Sequence, residues 1–219
     1  KPFQSIVQEV SPTGQLKDLK LNWKISNNQF PDLALQGQFL NVSVDPYKNF
    51  PGIKNLTGIV DIKKTRGEIK SVSKDLTIIK KDIFRQPITF SQFSGIINWK
   101  DNLFNLKNIV IQNNDINLII NGNYKNINYE DGIVDLAIKI PLVDLSSLKK
   151  YYPLQLGKKT LHWLDTSLLK GQAQNTTIKL KGETKDFPFV NEKNEPDFKK
   201  GVFTVESTII DSFIEYGAG

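Results

Sequence analysis

Asp18-Leu19-Lys20-Leu21-Asn22-Trp23-Lys24-Ile25 places an apolar residue at every odd position and a polar one at every even position. Side chains alternate across an extended strand, so this stretch reads as a strand with one apolar and one hydrated face. Ile133 to Ile140 repeats the pattern, with Val134, Leu136, Ile138 and Ile140 on one parity and Asp135 and Lys139 on the other. Shorter versions run through Leu35–Phe39, Leu56–Ile62, Phe93–Trp99, Ile116–Ile120, Ile178–Leu180 and Phe203–Val205. Parallel strands covered on both sides read as unbroken apolar runs, so one-sided alternation indicates antiparallel sheet. Turn chemistry separates the segments at Asp45-Pro46, Pro51-Gly52, Arg66-Gly67, Asp101-Asn102, Asn113-Asn114-Asp115 and Asp131-Gly132. The expected fold class is mainly β.

One segment leaves this rhythm. Over 158–170, Leu161, Leu164 and Leu168 fall at helical spacing beside Trp163, after Pro153 and before Gly171 in a position suited to a left-handed stop. A short amphipathic helix is predicted there, a turn at Asp144–Lys150, and a loop over Phe187–Lys200. The strings around Gly58, Gly95 and Gly132 resemble one another at a constant step, suggesting a sheet grown from similar units. A single helix cannot cover so many one-sided strands. A two-sheet sandwich, a closed barrel, or a curved sheet left open for an apolar ligand would each solve the problem, and the residues favour the first two because most alternating apolar faces are core.

Composition excludes several chemistries. The chain has 219 residues with no Cys, no Met and one His. No disulfide framework, thiolate metal site or thiol nucleophile is available. No nucleophile elbow, phosphate-cradling glycine loop or helical His pair occurs, so no catalytic, cofactor-binding or metal-binding residue is assigned and the chain is expected not to be an enzyme. His162, between Leu161 and Trp163, reads as a packing or surface residue. Asn41-Val42-Ser43, Asn55-Leu56-Thr57 and Asn175-Thr176-Thr177 match the glycosylation acceptor pattern and receive no role in so Asn-rich a chain. The net charge is +6 with a pI near 9.3, but the cations are scattered along the chain. Trp23 and Trp99 fall on the apolar parity beside Lys24 and Lys100, which argues for burial over base stacking; no nucleic-acid partner is expected. The missing Met suggests an internal segment of a longer protein.

Several blocks carry a family resemblance. They are Ser11-Pro12-Thr13-Gly14-Gln15-Leu16-Lys17-Asp18-Leu19-Lys20-Leu21-Asn22-Trp23, then Gly37-Gln38-Phe39-Leu40-Asn41-Val42-Ser43-Val44, and Phe50-Pro51-Gly52-Ile53-Lys54-Asn55-Leu56-Thr57-Gly58. Phe84-Arg85-Gln86-Pro87-Ile88 and Leu142-Val143-Asp144-Leu145 follow. Tyr151-Tyr152-Pro153-Leu154 then runs into Leu161-His162-Trp163-Leu164-Asp165, Leu180-Lys181-Gly182 and Asp186-Phe187-Pro188-Phe189. Collinear and spanning nearly the whole chain, they resemble the central region of the YhdP family, AsmA-like proteins related to TamB.

The resemblance implies a bridge-like lipid transporter of the Gram-negative envelope. It would be held in the periplasm by an N-terminal inner-membrane anchor outside this segment, and would reach inner and outer membranes through other regions. The fold implied is a long, curved, twisted antiparallel sheet, a taco-like groove with an apolar concave face. Residues 1–219 would form one β-groove segment, with a sub-boundary near 141–157, packed against flanking segments of the same polypeptide. Phospholipid acyl chains would slide along a lining drawn from the apolar parity: Leu19, Leu21, Trp23, Ile25, Leu35, Phe39, Val60, Ile62, Phe93, Ile97, Trp99, Leu118, Ile120, Val134, Leu136, Ile138, Ile140, Ile178, Leu180, Phe203 and Val205. The alternative reading is a ligand-free β-sandwich serving envelope assembly; a carbohydrate-binding β-protein is a more distant third.

Overall fold

The structure, a computed structural model, describes the backbone of residues 9–24, 32–48, 50–127 and 131–214, and their side chains except at 24, 32, 168, 169, 213 and 214. Among the described residues ten strands form one sheet: β1 (Thr13–Lys24), β2 (Asp32–Val44), β3 (Gly52–Lys63), β4 (Arg66–Ile79), β5 (Ile88–Lys100), β6 (Leu103–Gln112), β7 (Asn117–Asn126), β8 (Gly132–Asp144), β9 (Leu168–Glu183) and β10 (Gly201–Ile214). Each pairs antiparallel with its neighbours in chain order, and the sheet stays open between β1 and β10. At about 4.8 Å per step, the nine steps span about 43 Å. No second sheet faces it among the described residues, so the sandwich and barrel expectations fail. Every strand finds its partner next to it in sequence, which leaves no strand over for another layer.

Alternation missed β4 and β6, for different reasons. On β4 the apolar-face positions include Gly67, Ser71 and Ser73, small residues that hide the pattern. On β6 the pattern slips. Leu106 and Ile109 both join the same hydrophobic cluster although three residues apart, because Asn108 between them takes a left-handed φ of 47°. Every non-glycine residue with positive φ inside a described strand is Asn or Asp: Asp18, Asn41, Asn55, Asp75, Asn108, Asn175 and Asp211. That conformation costs most L-residues about 1–2 kcal/mol, while a short polar side chain that bonds locally tolerates it. All seven lie at or beside a register shift, and such bulges bend and twist a strand.

The bulges also explain the three acceptor-like tripeptides, each of which begins with a left-handed Asn. The Asn55 amide donates to Ser43 Oγ at 3.2 Å; the Asn41 amide donates to Thr57 Oγ1 at 3.0 Å, and Thr57 Oγ1 donates back to Asn41 Oδ1 at 3.3 Å. The hydroxyl two residues after each of these two bulges thus caps the amide of the other. At Asn175 the neighbouring Thr176 hydroxyl meets Ser207 Oγ at 2.7 Å.

The helix α1 covers Lys158–Ser167, not 158–170, and the chain enters β9 directly at Leu168. Gly171 is no helix stop. It sits inside β9 at φ +117°, where an added Cβ would meet Ser212 Cα of β10 at 2.6 Å. The predicted turn is a 3-10 helix at Leu145–Lys150, capped by Asp144, whose Oδ1 accepts from the Ser146 amide at 2.8 Å. Residues 187–200 form the predicted loop, pinned by a bridge between Val190 and Pro196. Across the expected sub-boundary at 141–157 the sheet is continuous, since β8 pairs with β9.

The repeat is real for two of its three copies. Gly58 and Gly95 both lie opposite Ser71 on the intervening strand, and Val60 and Ile97 both lie opposite Ile69. Gly132 opens β8, an even-numbered strand that runs the opposite way, so its matching residues ascend toward the other rim.

Candidate functional site

Directly paired residues on adjacent strands share a face, so register alone sorts the sheet. One row reads Leu21, Leu35, Ile62, Gly67, Trp99, Phe104, Tyr124, Val134 and Gly182 from β1 to β9. A second reads Val60, Ile69, Ile97, Leu106, Gly122, Leu136, Leu180 and Phe203 from β3 to β10. Between these two lies a row of the opposite parity: Lys20, Gln36, Asp61, Glu68, Asn98, Asn105, Asn123, Asp135 and Lys181. One side of the sheet is apolar across nine or more strands and the other is hydrated.

The sequence-derived lining residues fall on the apolar side, apart from Ile25, which lies outside the described residues. Their surroundings differ. Leu19, Leu21, Trp23, Phe203 and Val205 are exposed at the two sheet edges. Leu35, Val60, Ile62, Phe93, Ile97, Trp99, Leu118, Ile120, Leu136, Ile138, Ile178 and Leu180 are half-buried, as in a face with side neighbours and no second layer. Phe39, Val134 and Ile140 are buried. Ile69, Phe104, Leu106, Ile109 and Tyr124 belong to the same face and escaped sequence reading because they sit on β4, on β6 with its bulge, or on the polar-rich end of β7.

Aromatic side chains line one rim. Trp99 stacks on Phe104 with centroids 6.1 Å apart, and Phe104 meets Tyr124 at 6.3 Å. Glycine makes this possible: a Cβ on Gly67, opposite Trp99, would collide with the indole. On β10 Phe203 packs edge-on against Phe187 of the loop, at 5.3 Å.

The opposite rim is partly covered. The β4–β5 connection and residues 145–167 fold over the apolar side, where Phe84, Leu145, Leu148 and Tyr151 join a cluster with Ile88, Phe90, Ile109, Ile111, Ile116, Ile140, Val143 and Ala173. Polar contacts tie the two connections together. Arg85 donates from Nη1 and Nη2 to Asp165 Oδ1 and Oδ2 at 3.1 and 2.6 Å, and the Leu154 amide donates to Ile83 O at 2.9 Å. Lys150 pairs with Asp115, while Tyr151 Oη donates to Asp115 Oδ2 at 3.1 Å. Its hydrogen bond from Lys150 holds the Asp115 carboxyl below the ordinary range, with burial opposing and Tyr151 assisting. Ile140 is therefore floor beneath this strap and not open surface.

Among the described residues, no three His, Asp or Glu side chains gather where a metal ion could be held, and no helix is long and apolar enough to cross a membrane. His162 lies exposed on α1.

A family model described as YhdP protein matches residues 1–219. The chain belongs to the YhdP family. No curated protein and no solved structure matches it. An open antiparallel sheet with a one-sided apolar face is thus the form that this stretch of a YhdP-family protein takes.

Proposed function

We propose that this segment conducts phospholipids along its apolar face, as part of a periplasmic, inner-membrane-tethered protein reaching toward the outer membrane. The observation carrying the reading is the continuous apolar side of a ten-stranded sheet with no second layer among the described residues. Each methylene taken from water contributes about 0.8 kcal/mol, so acyl chains would hold to such a surface while headgroups stay hydrated at a rim. Sliding needs an even apolar surface and no reactive group, so the role is non-enzymatic. Family membership is consistent with it. A ligand-free sandwich has no support from a single-layer sheet.

The test is native mass spectrometry of the purified segment. Phospholipid should copurify, and Ile97→Glu or Leu136→Glu should reduce occupancy at least about fivefold, since a charge placed among acyl chains costs several kcal/mol. A photo-crosslinker at Lys20, Asp61 or Asn98, on the hydrated side, should give no lipid adduct. A folded segment that stays lipid-free in lipid-containing detergent would overturn the reading.

A further inference from the structure

Lys63 on β3, Arg66 on β4 and Lys100 on β5 are direct register partners, Lys63 with Arg66 and Arg66 with Lys100. All three are exposed, and none forms an ion pair among the described residues. Like charges directly opposite on neighbouring strands destabilise a sheet, and no ion pair among the described residues offsets these three. The turns joining the strands, Lys64-Thr65 and Asp101-Asn102, add one acid, Asp101. Asp61 and Glu68 lie one outer-face row inward, and Glu68 is taken by Lys70 at 3.0 Å. Lys80, Arg85, Lys150, Lys181 and Lys185 each have a carboxylate partner; what sets Lys63, Arg66 and Lys100 apart is that they face one another directly across neighbouring strands.

Position gives the ladder a meaning. Each of its strands also presents Ile62, Gly67 or Trp99, one residue away, to the apolar face. An open depression of about 500 Å³ at this rim is lined by Asn22, Leu33, Ala34 and the β3–β4 turn together with Lys63, Arg66 and Lys100. The cations stand on the hydrated side at the strand ends, one residue beyond Ile62, Gly67 and Trp99. Long Lys and Arg stems carry their charges over such a rim, as they reach lipid phosphates from beside Trp at headgroup level.

We infer that the Lys63–Arg66–Lys100 ladder is a headgroup track, holding the phosphodiester of an anionic phospholipid whose acyl chains lie on the adjoining apolar face. The inference rests on the conduit reading and adds a substrate preference to it: net-anionic lipids are favoured over zwitterionic ones. At the opposite rim Lys80, Arg85 and Lys150 are held in ion pairs and no such in-register ladder stands among the described residues.

The test offers the segment an equimolar mixture of phosphatidylglycerol and phosphatidylcholine and reads bound lipid by native mass spectrometry at low and high salt. Each cation near an anionic lipid is expected to be worth about fivefold. Wild type should therefore prefer phosphatidylglycerol by at least about fivefold at low salt and lose most of that preference at high salt. The triple variant K63Q/R66Q/K100Q should take up both lipids about equally with total occupancy unchanged. K107Q/K139Q/K179Q, which removes the same charge from the middle of the outer face, should keep the preference. Equal uptake by wild type, or loss of preference in the control variant, overturns the track while leaving the conduit standing. Absence of both lipids overturns conduit and track together. If the ladder variant instead loses affinity only for a fluorescent single-stranded oligonucleotide, the ladder is a nucleic-acid contact and the inference fails. Far-UV circular dichroism should show the same β signal in all three proteins.

Discussion

Asn108 holds a left-handed backbone in the middle of β6, and its amide donates to Asn121 Oδ1 at 2.8 Å on the next strand. The native side chain is needed for conformation and not for this hydrogen bond. Asn108→Gly should fold with unchanged stability within about 0.5 kcal/mol, whereas Asn108→Val should lose about 1–2 kcal/mol in urea unfolding. Equal losses in both would show that the backbone angle is not what selects Asn. Tyr152 poses the converse case. Its hydroxyl is buried with no hydrogen-bond partner among the described residues, and burial pushes its pKa up to about 12. Tyr152→Phe should therefore stabilise the fold by about 1 kcal/mol at neutral pH. A raised folded pKa means that ionisation of this hydroxyl leaves stability unchanged below about 10 and lowers it as pH climbs from there toward the folded value. The alkaline fall in stability between about pH 10 and 12 should be shallower in the variant than in wild type.

At the scale of elements, the strap over the apolar face is joined to the sheet by charge as well as packing. Asp115 has a depressed folded pKa, so its contribution is full above the unfolded value of about 3.9 and is lost as pH falls through the folded one. Asp82, lowered chiefly by its hydrogen bond from Lys80 at 2.8 Å, behaves the same way in the β4–β5 connection. Hydrogen exchange of residues 145–156, corrected for intrinsic rates, should accelerate as pH drops below about 4. Asp115→Asn should already exchange faster at pH 7 and gain less on acidification; identical profiles would mean that packing of Leu145, Leu148 and Tyr151 alone holds the strap.

Reading these elements from sequence succeeded where side-chain size followed period two and failed where backbone chemistry intervened. The long alternation in Ile133–Ile140 survives in β8. Leu106-Lys107-Asn108-Ile109 looks non-alternating until the left-handed Asn is allowed for; then both apolar ends face one side. Leu16-Lys17-Asp18-Leu19 and Ile53-Lys54-Asn55-Leu56 carry the same four-residue signal. The helix starts at Lys158 as its spacing predicts and ends three residues earlier than that spacing predicts, because Leu168 fits helical spacing as well as it fits the first position of β9.

For the whole molecule the decisive quantity is apolar surface left without a partner. Trp23 is 50% exposed and Val205 56%, at opposite edges of a face that runs between them. The isolated segment should bind the dye ANS strongly at neutral pH while retaining a full β signal, and long-chain fatty acid should displace the dye. A fold of this size with dye fluorescence no higher than that of a closed β-sandwich would show the face to be covered in solution.

The amino-acid sequence by itself determined that strands dominate, that they are one-sided and antiparallel, and which parity is apolar, because side-chain alternation is a local property of extended backbone. Its motifs also pointed to the YhdP family. Only the tertiary structure decided that the sheet stays a single open layer, where the bulges turn the pattern over, and that three cations stand in register along one rim. Those features depend on which strands become neighbours and on how their ends are covered, and no residue carries that information until the sheet is assembled.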